Sequence, residues 1–565
     1  MDRKTILALV LSALVLLLVP RLLELVGLGP PRTKPAVSTP SQMAADSAAA
    51  ARQQTALPSD TARVSAPRAA GAFASALNAP ARTFTVSSSL YDARFDTRGA
   101  RLIGVSLHRL KSADGTPVRL DGMPSVALDL GDEKAKPLLA DAVYESSEST
   151  DAQGNVLQVR FQAADTAGLR VVQTYSLDPK RYVIGLEVRL DGAVARGISK
   201  YHVELQSWPL VTERNVQEDI KNLQTVSRVG NDVFRHPFND LKKNLRTHTG
   251  AVGWTAVRSK YFSLAVVPDG ASAEEAINGL PQSAVAQTTN GSVPARVAST
   301  LVLPIPASGV PQRLLLYAGP NDYWALDKIG FHLEDLVDLG WRWLLPFSRA
   351  ILRVLVFLHG FVPNYGLVIL LLSALVKVVF HPLTASSMKS MRAMQRIQPE
   401  IEKIRKKYES DPQKMNTAVF ALYKENKVNP LGGCLPLLIQ MPVLFSLYQV
   451  FLHAIELRQA PFVAWINDLS APDTLFSIKG FPFPVEIRIL PLIMFGSAIL
   501  QQRMTPTDPR QAQTMQLMNV FLLVLFYNLP SGLVLYWTVT NLLTAAQQYL
   551  VTHGERSMKP KPKAA

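Results

Sequence analysis

Apolar residues form long runs at the start of the chain and again after about residue 345, whereas the region between them alternates apolar and polar positions. The first run follows Arg3 and Lys4 and continues with few interruptions to Leu28. A cleaved signal peptide is the alternative, but no small-residue cleavage pattern directly follows the run. We therefore predict that 1–28 is an uncleaved signal-anchor transmembrane helix that starts in the cytoplasm.

Further apolar runs follow in the C-terminal part of the sequence. The last of them, Met515–Val551, would be about 55 Å long as one helix, whereas a bilayer has a hydrocarbon core about 30 Å thick. Pro530 and Gly532 lie within this run and favour a break there. With the anchor, six membrane spans are predicted. The five that follow the anchor are about 365–380, 431–457, 485–500, 515–528 and 531–551.

The distribution of basic residues gives a consistent orientation for these spans. With the anchor starting inside, residues 381–430 fall in the cytoplasm, and they carry ten Lys and Arg residues. The outer loop 458–484 carries only two. This matches the tendency of basic residues to remain in the cytoplasm. Both termini are then cytoplasmic, the second one as a basic tail over 552–565.

Within the basic loop, apolar residues recur at helical spacing at Ile397, Ile401 and Ile404. Asp411-Pro412 follows and is a favourable N-cap and first-turn pair for a second helix. We therefore predict a cytoplasmic helical hairpin over 384–428. It serves either as a solvated connector or as a docking surface for substrates or targeting factors.

The central region has the composition of a soluble insertion. Residues 29–81 are rich in Ala, Pro and Ser, which is typical of a flexible linker. From 82 to 330, short alternating runs such as 182–190 are separated by turn pairs such as Asp191-Gly192. This predicts a large antiparallel β-sandwich on the periplasmic side. Its His and acidic residues are explained by solvated strand faces, so no sugar-binding or catalytic site is predicted there.

Within the segment 331–362, the stretch Phe347–Val362 is apolar enough to suggest a seventh span. It carries Arg349 and Arg353 on one helical face, and His359 follows. Counting it as a span would place the basic loop outside. It is therefore predicted to be an amphipathic helix on the outer membrane surface.

Composition limits the chemistry that the protein can perform. The 565 residues carry a formal net charge of +15, which in a membrane protein indicates basic loops facing anionic lipid rather than nucleic-acid recognition. Cys434 is the single cysteine, so no intrachain disulfide can form. The short signatures of metal, nucleotide and acyl chemistry are absent from the sequence. We predict no cofactor, no metal and no catalytic residue, and an enzyme is disfavoured.

Lys377 is the only charged residue in the run 365–380. Its long stem could carry the ammonium to the lipid headgroups, or it could face a water-filled cavity between helices and attract acidic or polar chain. Gln440, Asn541 and the residues around 528–537 add polar groups that hydrocarbon would penalise unless they found partners. An enclosed polar groove would satisfy several of them at once.

Three stretches carry a family resemblance. The run Asn429-Pro430-Leu431-Gly432-Gly433-Cys434-Leu435-Pro436, continuing to Gln440-Met441-Pro442, resembles the signature of the YidC/Oxa/Alb membrane insertases, as do 456–470 and 530–536. The order of anchor, linker and β domain resembles the long form found in bacteria with two membranes. This resemblance implies a five-helix core with a hydrophilic groove and a periplasmic supersandwich. It also implies an inner-membrane insertase and chaperone that acts alone or with the Sec translocon. Its partners would be nascent membrane proteins and lipids, with the ribosome and targeting factors as further candidates.

The resemblance also assigns roles to individual residues. The substrate groove corresponds to Lys377, with Gln440 and Trp537 as its polar and aromatic neighbours. The hydrophobic substrate path corresponds to Met441, Leu444, Leu525 and Leu529. Many relatives have Arg at the position of Lys377, and Lys lacks the planar five-donor fork of that residue. The resemblance therefore implies general attraction for acidic segments rather than a fixed bidentate partner.

Two rival functions remain at this point. A small-solute secondary transporter could use Lys377 as an ion site, but no paired repeats with broken helices are evident in the sequence. A periplasmic sugar-processing enzyme anchored by helices would keep its activity without residues 330–565. The predicted six spans argue against this second alternative.

Overall fold

The structure is a computed structural model. It describes residues 80–120, 125–130, 142–150, 156–164, 168–207, 212–270, 272–281, 295–306, 309–426, 428, 435–478, 485–504 and 509–557. These residues belong to one compact unit, 71–565. The expected anchor at 1–28, nearly all of the linker, the signature residues 429–434 and the end of the basic tail lie outside the described residues.

The region from 83 to 320 is built from antiparallel strands. Its strands are β1 Thr83–Ser87, β2 Tyr91–Asp96, β3 Arg101–Lys111, β4 Pro117–Arg119, β5 Ser125–Asp129, β6 Glu145–Thr150, β7 Val156–Ala164, β8 Arg170–Leu177, β9 Val183–Asp191, β10 Lys200–Ser207, β11 Gln224–Val229, β12 Asp232–Pro237, β13 Arg246–Arg258, β14 Phe262–Asp269, β15 Ala273–Gly279, β16 Val297–Pro304 and β17 Gln312–Pro320.

Strand β13 connects two series of strands. Its first part pairs with β15, which leads through β16, β10, β5, β3 and β2 to β1. Its last part pairs with β11 and with β14, which leads through β17, β9, β8 and β7 to β6. The register shifts between Thr249 and Val252, where Gly250 has a φ of +130°. A bulge with glycine bends a strand, so one long strand serves both parts of the sandwich.

The core of this domain follows from the alternation of apolar and polar residues. In β2, every second residue is buried, so Tyr91, Ala93 and Phe95 face inward. Phe95 packs on Tyr175 with ring centroids 5.0 Å apart and on Phe161 at 5.9 Å. The expected antiparallel β-sandwich is therefore present.

Helices dominate the chain from residue 323 onward. Two short helices lie earlier, α1 Val216–Asn222 and α2 Phe238–Leu241. The later ones are α3 Tyr323–Ile329, α4 Leu345–His359, α5 Tyr365–Val379, α6 His381–Lys407, α7 Pro412–Glu425, α8 Leu435–His453, α9 Leu490–Met504, α10 Pro509–Phe526 and α11 Ser531–Ser557. Two short strands, β18 Phe476–Ile478 and β19 Val485–Ile487, form a separate antiparallel pair. Within the described residues, the helices lack the combination of length and apolar character that membrane crossing requires.

Local chemistry determines where several of these helices begin. The side chain of Asn364 accepts a hydrogen bond from the backbone N–H of Leu367 at 3.1 Å, which caps α5. Asp411 caps α7 in the same way through Lys414, as its sequence pattern predicts. The apolar run expected to be helical from Val485 instead starts as strand β19. The helix begins at Leu490, whose backbone N–H is bound by the carboxylate of Asp473 at 2.8 Å.

Helix α6 and helix α7 pack against each other as a hairpin with a small apolar core. Ile397, Ile401, Leu422 and Val428 form its buried cluster. On the outer face of α7, the side chain of Phe420 is 65% exposed. The hairpin thus has a buried apolar seam and, at Phe420, an apolar side chain on its outer face.

Helix α4 is amphipathic, with Ile351, Leu352 and Leu355 buried. The guanidinium of Arg349 lies 5.5 Å from the ring centre of Tyr323, and that of Arg353 lies 5.4 Å from Trp324. Such cation–π contacts fix the helix against α3.

The β domain is joined to the helices through a buried arginine. Arg458 follows α8 and a short 3-10 turn, and its side chain is 3% exposed. Its Nε donates to the Glu213 carboxylate at 2.6 Å, and its Nη2 donates to the carbonyl oxygen of Lys111 at 2.7 Å. The guanidinium also lies 5.2 Å from the ring centre of Phe262. We call Arg458 and Glu213 the interdomain ion pair.

A second buried acid lies beside this pair. Oδ2 of Asp219 accepts hydrogen bonds from the backbone N–H groups of Thr212 and Glu213, both at 3.1 Å. Its Oδ1 is buried and has no hydrogen-bond partner among the described residues. Burial raises the pKa of Asp219 to about 7, and the backbone hydrogen bond from Glu213 opposes this rise only in part.

Candidate functional site

A cavity of about 230 Å³ lies between five of the helices. Its walls come from α5, α6, α8, α9 and α11 and from the residue that ends α5. The lining residues are Ser373, Val376, Lys377, Phe380, Thr384, Gln440, Met441, Leu444, Gln501, Tyr536, Trp537, Thr540, Asn541 and Thr544. We call this space the helix cavity.

Among the described residues that line the helix cavity, Lys377 alone has a charged side chain. Its Nζ donates a hydrogen bond to Oγ1 of Thr544 on α11 at 2.8 Å. No carboxylate lies within 4.0 Å of Nζ in the described part of the chain. Lys377 and Thr544, the residue to which its ammonium is bonded, both line the helix cavity.

Three hydroxyl-bearing residues of helix α11 line the cavity at regular spacing. Tyr536, Thr540 and Thr544 are spaced four residues apart and therefore lie on one helical face. The Tyr536 hydroxyl lies near Thr540 Oγ1, but neither buried oxygen meets the geometry of a hydrogen bond. Buried hydroxyls without partners cost free energy until water or another polar group reaches them. The two oxygens are closed off from solvent, so they carry this cost in the folded structure.

The other lining residues are mixed in character. Gln440, Met441 and Leu444 lie on α8 and are half-buried. Trp537 packs against Phe526 of α10 with ring centroids 5.1 Å apart. A segment in this cavity would meet amide and hydroxyl groups on some sides and apolar side chains on others.

Asn541 both forms an interhelical hydrogen bond and lines the cavity. Its Nδ2 donates to Oγ of Ser497 on α9 at 3.1 Å, which is an interhelical hydrogen bond within the bundle. The same side chain lines the helix cavity. Its bond to α9 therefore also holds the cavity wall together.

Five of the seven residues assigned from the resemblance lie together in the cavity lining. They are Lys377, Gln440, Trp537, Met441 and Leu444. Leu525 and Leu529 are not among the lining residues. Both are half-buried at the end of α10 and just beyond it, and they pack against the core of the helical region.

Sequence reasoning missed several residues of the cavity, above all Thr540 and Thr544. Threonine is common in ordinary helices, so one such residue carries little information. The signal that was available is the spacing of Tyr536, Thr540 and Thr544, which places three hydroxyls on one side of an apolar helix.

The described residues contain no cluster of three or more His, Cys, Asp or Glu side chains suited to a metal ion. The described residues that line the helix cavity include no carboxylate and no imidazole. With one ammonium, amides and hydroxyls, it can hold a polar or acidic segment through hydrogen bonds and charge attraction.

Comparison with known proteins identifies similar chains over nearly the whole length. One family model, described as the 60Kd inner membrane protein, matches residues 357–559, and another, described as the YidC periplasmic domain, matches residues 83–347. The membrane protein insertase YidC of Chlorobium phaeovibrioides is 32% identical over 98% of this chain and 95% of its own length. The membrane protein insertase YidC of Geobacter sulfurreducens is 34% identical over 72% of each chain.

A solved structure of an active YidC insertase with its first transmembrane domain resolved is similar over 83% of this chain and 92% of its own. Its sequence identity is 20% and its TM-score is 0.36.

Proposed function

Because this chain belongs to the YidC family of membrane protein insertases, we propose that it inserts hydrophobic segments of newly made proteins into the inner membrane. The family is one of insertases, not enzymes. The observation that carries the proposal for this chain is the ammonium of Lys377, which faces the helix cavity without a carboxylate partner among the described residues.

The arrangement in the membrane is part of the same proposal. Helices α5, α8, α9, α10 and α11 form the membrane-embedded core, and 1–28 adds a sixth span. The β domain lies in the periplasm, α4 lies on the outer membrane surface, and both termini and the α6–α7 hairpin lie in the cytoplasm. The positions of the basic residues support this orientation.

The mechanism follows from the two kinds of wall in the cavity. A polar or acidic part of the client occupies the space beside Lys377, where hydroxyl and amide groups replace its lost water. The apolar helix of the client passes Gln440, Met441 and Leu444 toward lipid, with Leu525 and Leu529 farther along the path. About 20 apolar residues gain several kcal/mol in the bilayer, so the transfer needs no nucleotide.

The short length of two of these helices favours local thinning of the bilayer at this site. Helices α5 and α9 have 15 residues each. Each is therefore about 22 Å long, which is less than a hydrocarbon core of about 30 Å. Mismatch of this kind favours local thinning of the bilayer, which lowers the barrier to a polar segment.

The proposed partners are nascent membrane proteins and lipids, together with the Sec translocon for larger clients. The ribosome and targeting factors are proposed to meet the α6–α7 hairpin, because its outer face is basic and exposes Phe420.

The test is insertion of single-span clients into liposomes that contain the purified full chain. Two clients differ only in an outer tail that is acidic in one and neutral in the other. Lys377→Glu is expected to slow the acidic client more than the neutral one, because it replaces attraction by repulsion. Lys424→Glu makes the same charge change at an exposed position of α7 and is the matched control. Equal slowing of both clients would refute the electrostatic role, and no insertion by the unaltered chain would refute the function.

A further inference from the structure

The hydrogen bond between Lys377 and Thr544 connects two helices that meet at the helix cavity. Residue 377 lies in the last turn of α5, and residue 544 lies in the middle of α11. The two residues are 167 positions apart in the chain. The position of the ammonium therefore depends on a side chain of a different helix.

The hydroxyl of Thr544 is fixed at both ends. It donates to the backbone carbonyl oxygen of Thr540 at 2.6 Å, and its oxygen accepts from Lys377 Nζ at 2.8 Å. Because the hydroxyl hydrogen is already used within α11, the oxygen lone pairs are available to the ammonium. Thr544 is thus an acceptor of defined orientation.

Thr544 holds Lys377 without neutralising it. An acidic residue at this position would form an ion pair and cancel the charge, whereas a hydroxyl leaves the full positive charge in place. An ammonium has three donors, and one of them is bound to Thr544. Without this acceptor, the flexible lysine stem could carry the charge out of the cavity toward water or lipid headgroups.

We propose that Thr544 is a positioning residue that keeps the Lys377 ammonium in the helix cavity and thereby sets the preference for acidic over neutral client segments. The proposal rests on the proposed function of the chain. Thr544 itself acts through Lys377 rather than on the client.

The test compares insertion rates of the acidic-tailed and neutral-tailed clients by the full chain in liposomes. Thr544→Val removes the acceptor and nearly preserves volume, and Thr544→Ser keeps the hydroxyl as the matched control. We expect Thr544→Val to lower the ratio of the acidic-client rate to the neutral-client rate about fivefold. A net hydrogen bond of about 1 kcal/mol corresponds to a change in rate of that size. Lys377→Met removes the charge itself and is expected to lower the ratio at least as far, and Thr544→Ser is expected to retain the original ratio.

The outcomes separate this inference from the proposed function. An unchanged ratio in Thr544→Val, with the neutral client still inserted, would overturn the positioning role and leave the function standing. Equal loss of both clients in Thr544→Val and Thr544→Ser would mean that Thr544 only supports the fold. If Thr544→Val lowers the midpoint of thermal unfolding, Thr544→Ala replaces it in the comparison. A lowered ratio of acidic to neutral rates in Thr544→Ala then supports the positioning role, and an unchanged ratio overturns it. Failure of the unaltered chain to insert either client would overturn the function itself.

Discussion

Replacing Arg458 by Ala should weaken the local contact between the β domain and the helices. The change removes the cation of the interdomain ion pair and leaves the Glu213 carboxylate, which is 14% exposed, without its partner. Removing one member of a buried pair costs about 3–5 kcal/mol, because the remaining charge is uncompensated. The carbonyl oxygens of Lys111 and Thr212 lose their guanidinium donor as well.

Hydrogen exchange of the full chain in lipid nanodiscs measures this effect locally. At about 1.4 kcal/mol per tenfold change, residues 212–219 should exchange at least about a hundredfold faster in Arg458→Ala. Strands β7 to β9 lie away from the pair and serve as the internal reference. A global unfolding temperature would be a poorer measure, because a chain of this size does not unfold in one step.

Two further variants separate charge from packing. Arg458→Lys keeps a positive charge but lacks the fork that reaches both Glu213 and the carbonyl oxygens, so an intermediate exchange rate is expected. Arg458→Met keeps much of the stem that packs against Phe262 and should resemble Arg458→Ala if charge dominates. Unchanged exchange of 212–219 in Arg458→Ala would show that the ion pair does not hold this interface.

Two more predictions concern the stability of the fold. The folded pKa of Asp219 is about 7, above the value of 3.8 for the unfolded chain, so its contribution to stability is complete below about pH 4 and is lost as the pH rises through 7. In Asp219→Asn, the protection of residues 212–219 from hydrogen exchange should fall less steeply between pH 4 and 7. An unchanged dependence of protection on pH would contradict the pKa assigned to Asp219. A Cβ at Gly366 would collide with the ring of Phe462, so Gly366→Ala should cost about 1–3 kcal/mol. Phe462→Leu should recover part of that loss in a thermal aggregation assay, and equal loss in the double variant would refute the steric explanation.

Much of the helical region could be predicted from the sequence, because a run of apolar residues is itself the signal for a buried helix. The helix Tyr365–Val379 coincides closely with the apolar run 365–380, and Lys377 was recognisable as the only charge within it. Asp411 marks a helix start through its own side chain. Such features are local and need no knowledge of the rest of the chain.

The remaining features depend on contacts between distant residues. Nothing near Arg458 in the sequence indicates a pairing with Glu213, which is 245 positions away. Thr544 is likewise an ordinary helical threonine until α5 packs beside α11. The start of α9 at Leu490 depends on the carboxylate of Asp473, so the apolar run alone placed it too early.

The even spacing of the hydroxyls on α11 has a consequence for the stability of the helix bundle. Four residues of helix rise about 6 Å, so the hydroxyl-bearing residues Tyr536, Thr540 and Thr544 span about 12 Å along one face. The Thr544 hydroxyl is bonded at both ends, whereas the buried side-chain oxygens of Tyr536 and Thr540 have no hydrogen-bond partner among the described residues. Each unpaired oxygen costs free energy. The bundle therefore loses stability at two levels of this face and gains it at the level of Lys377.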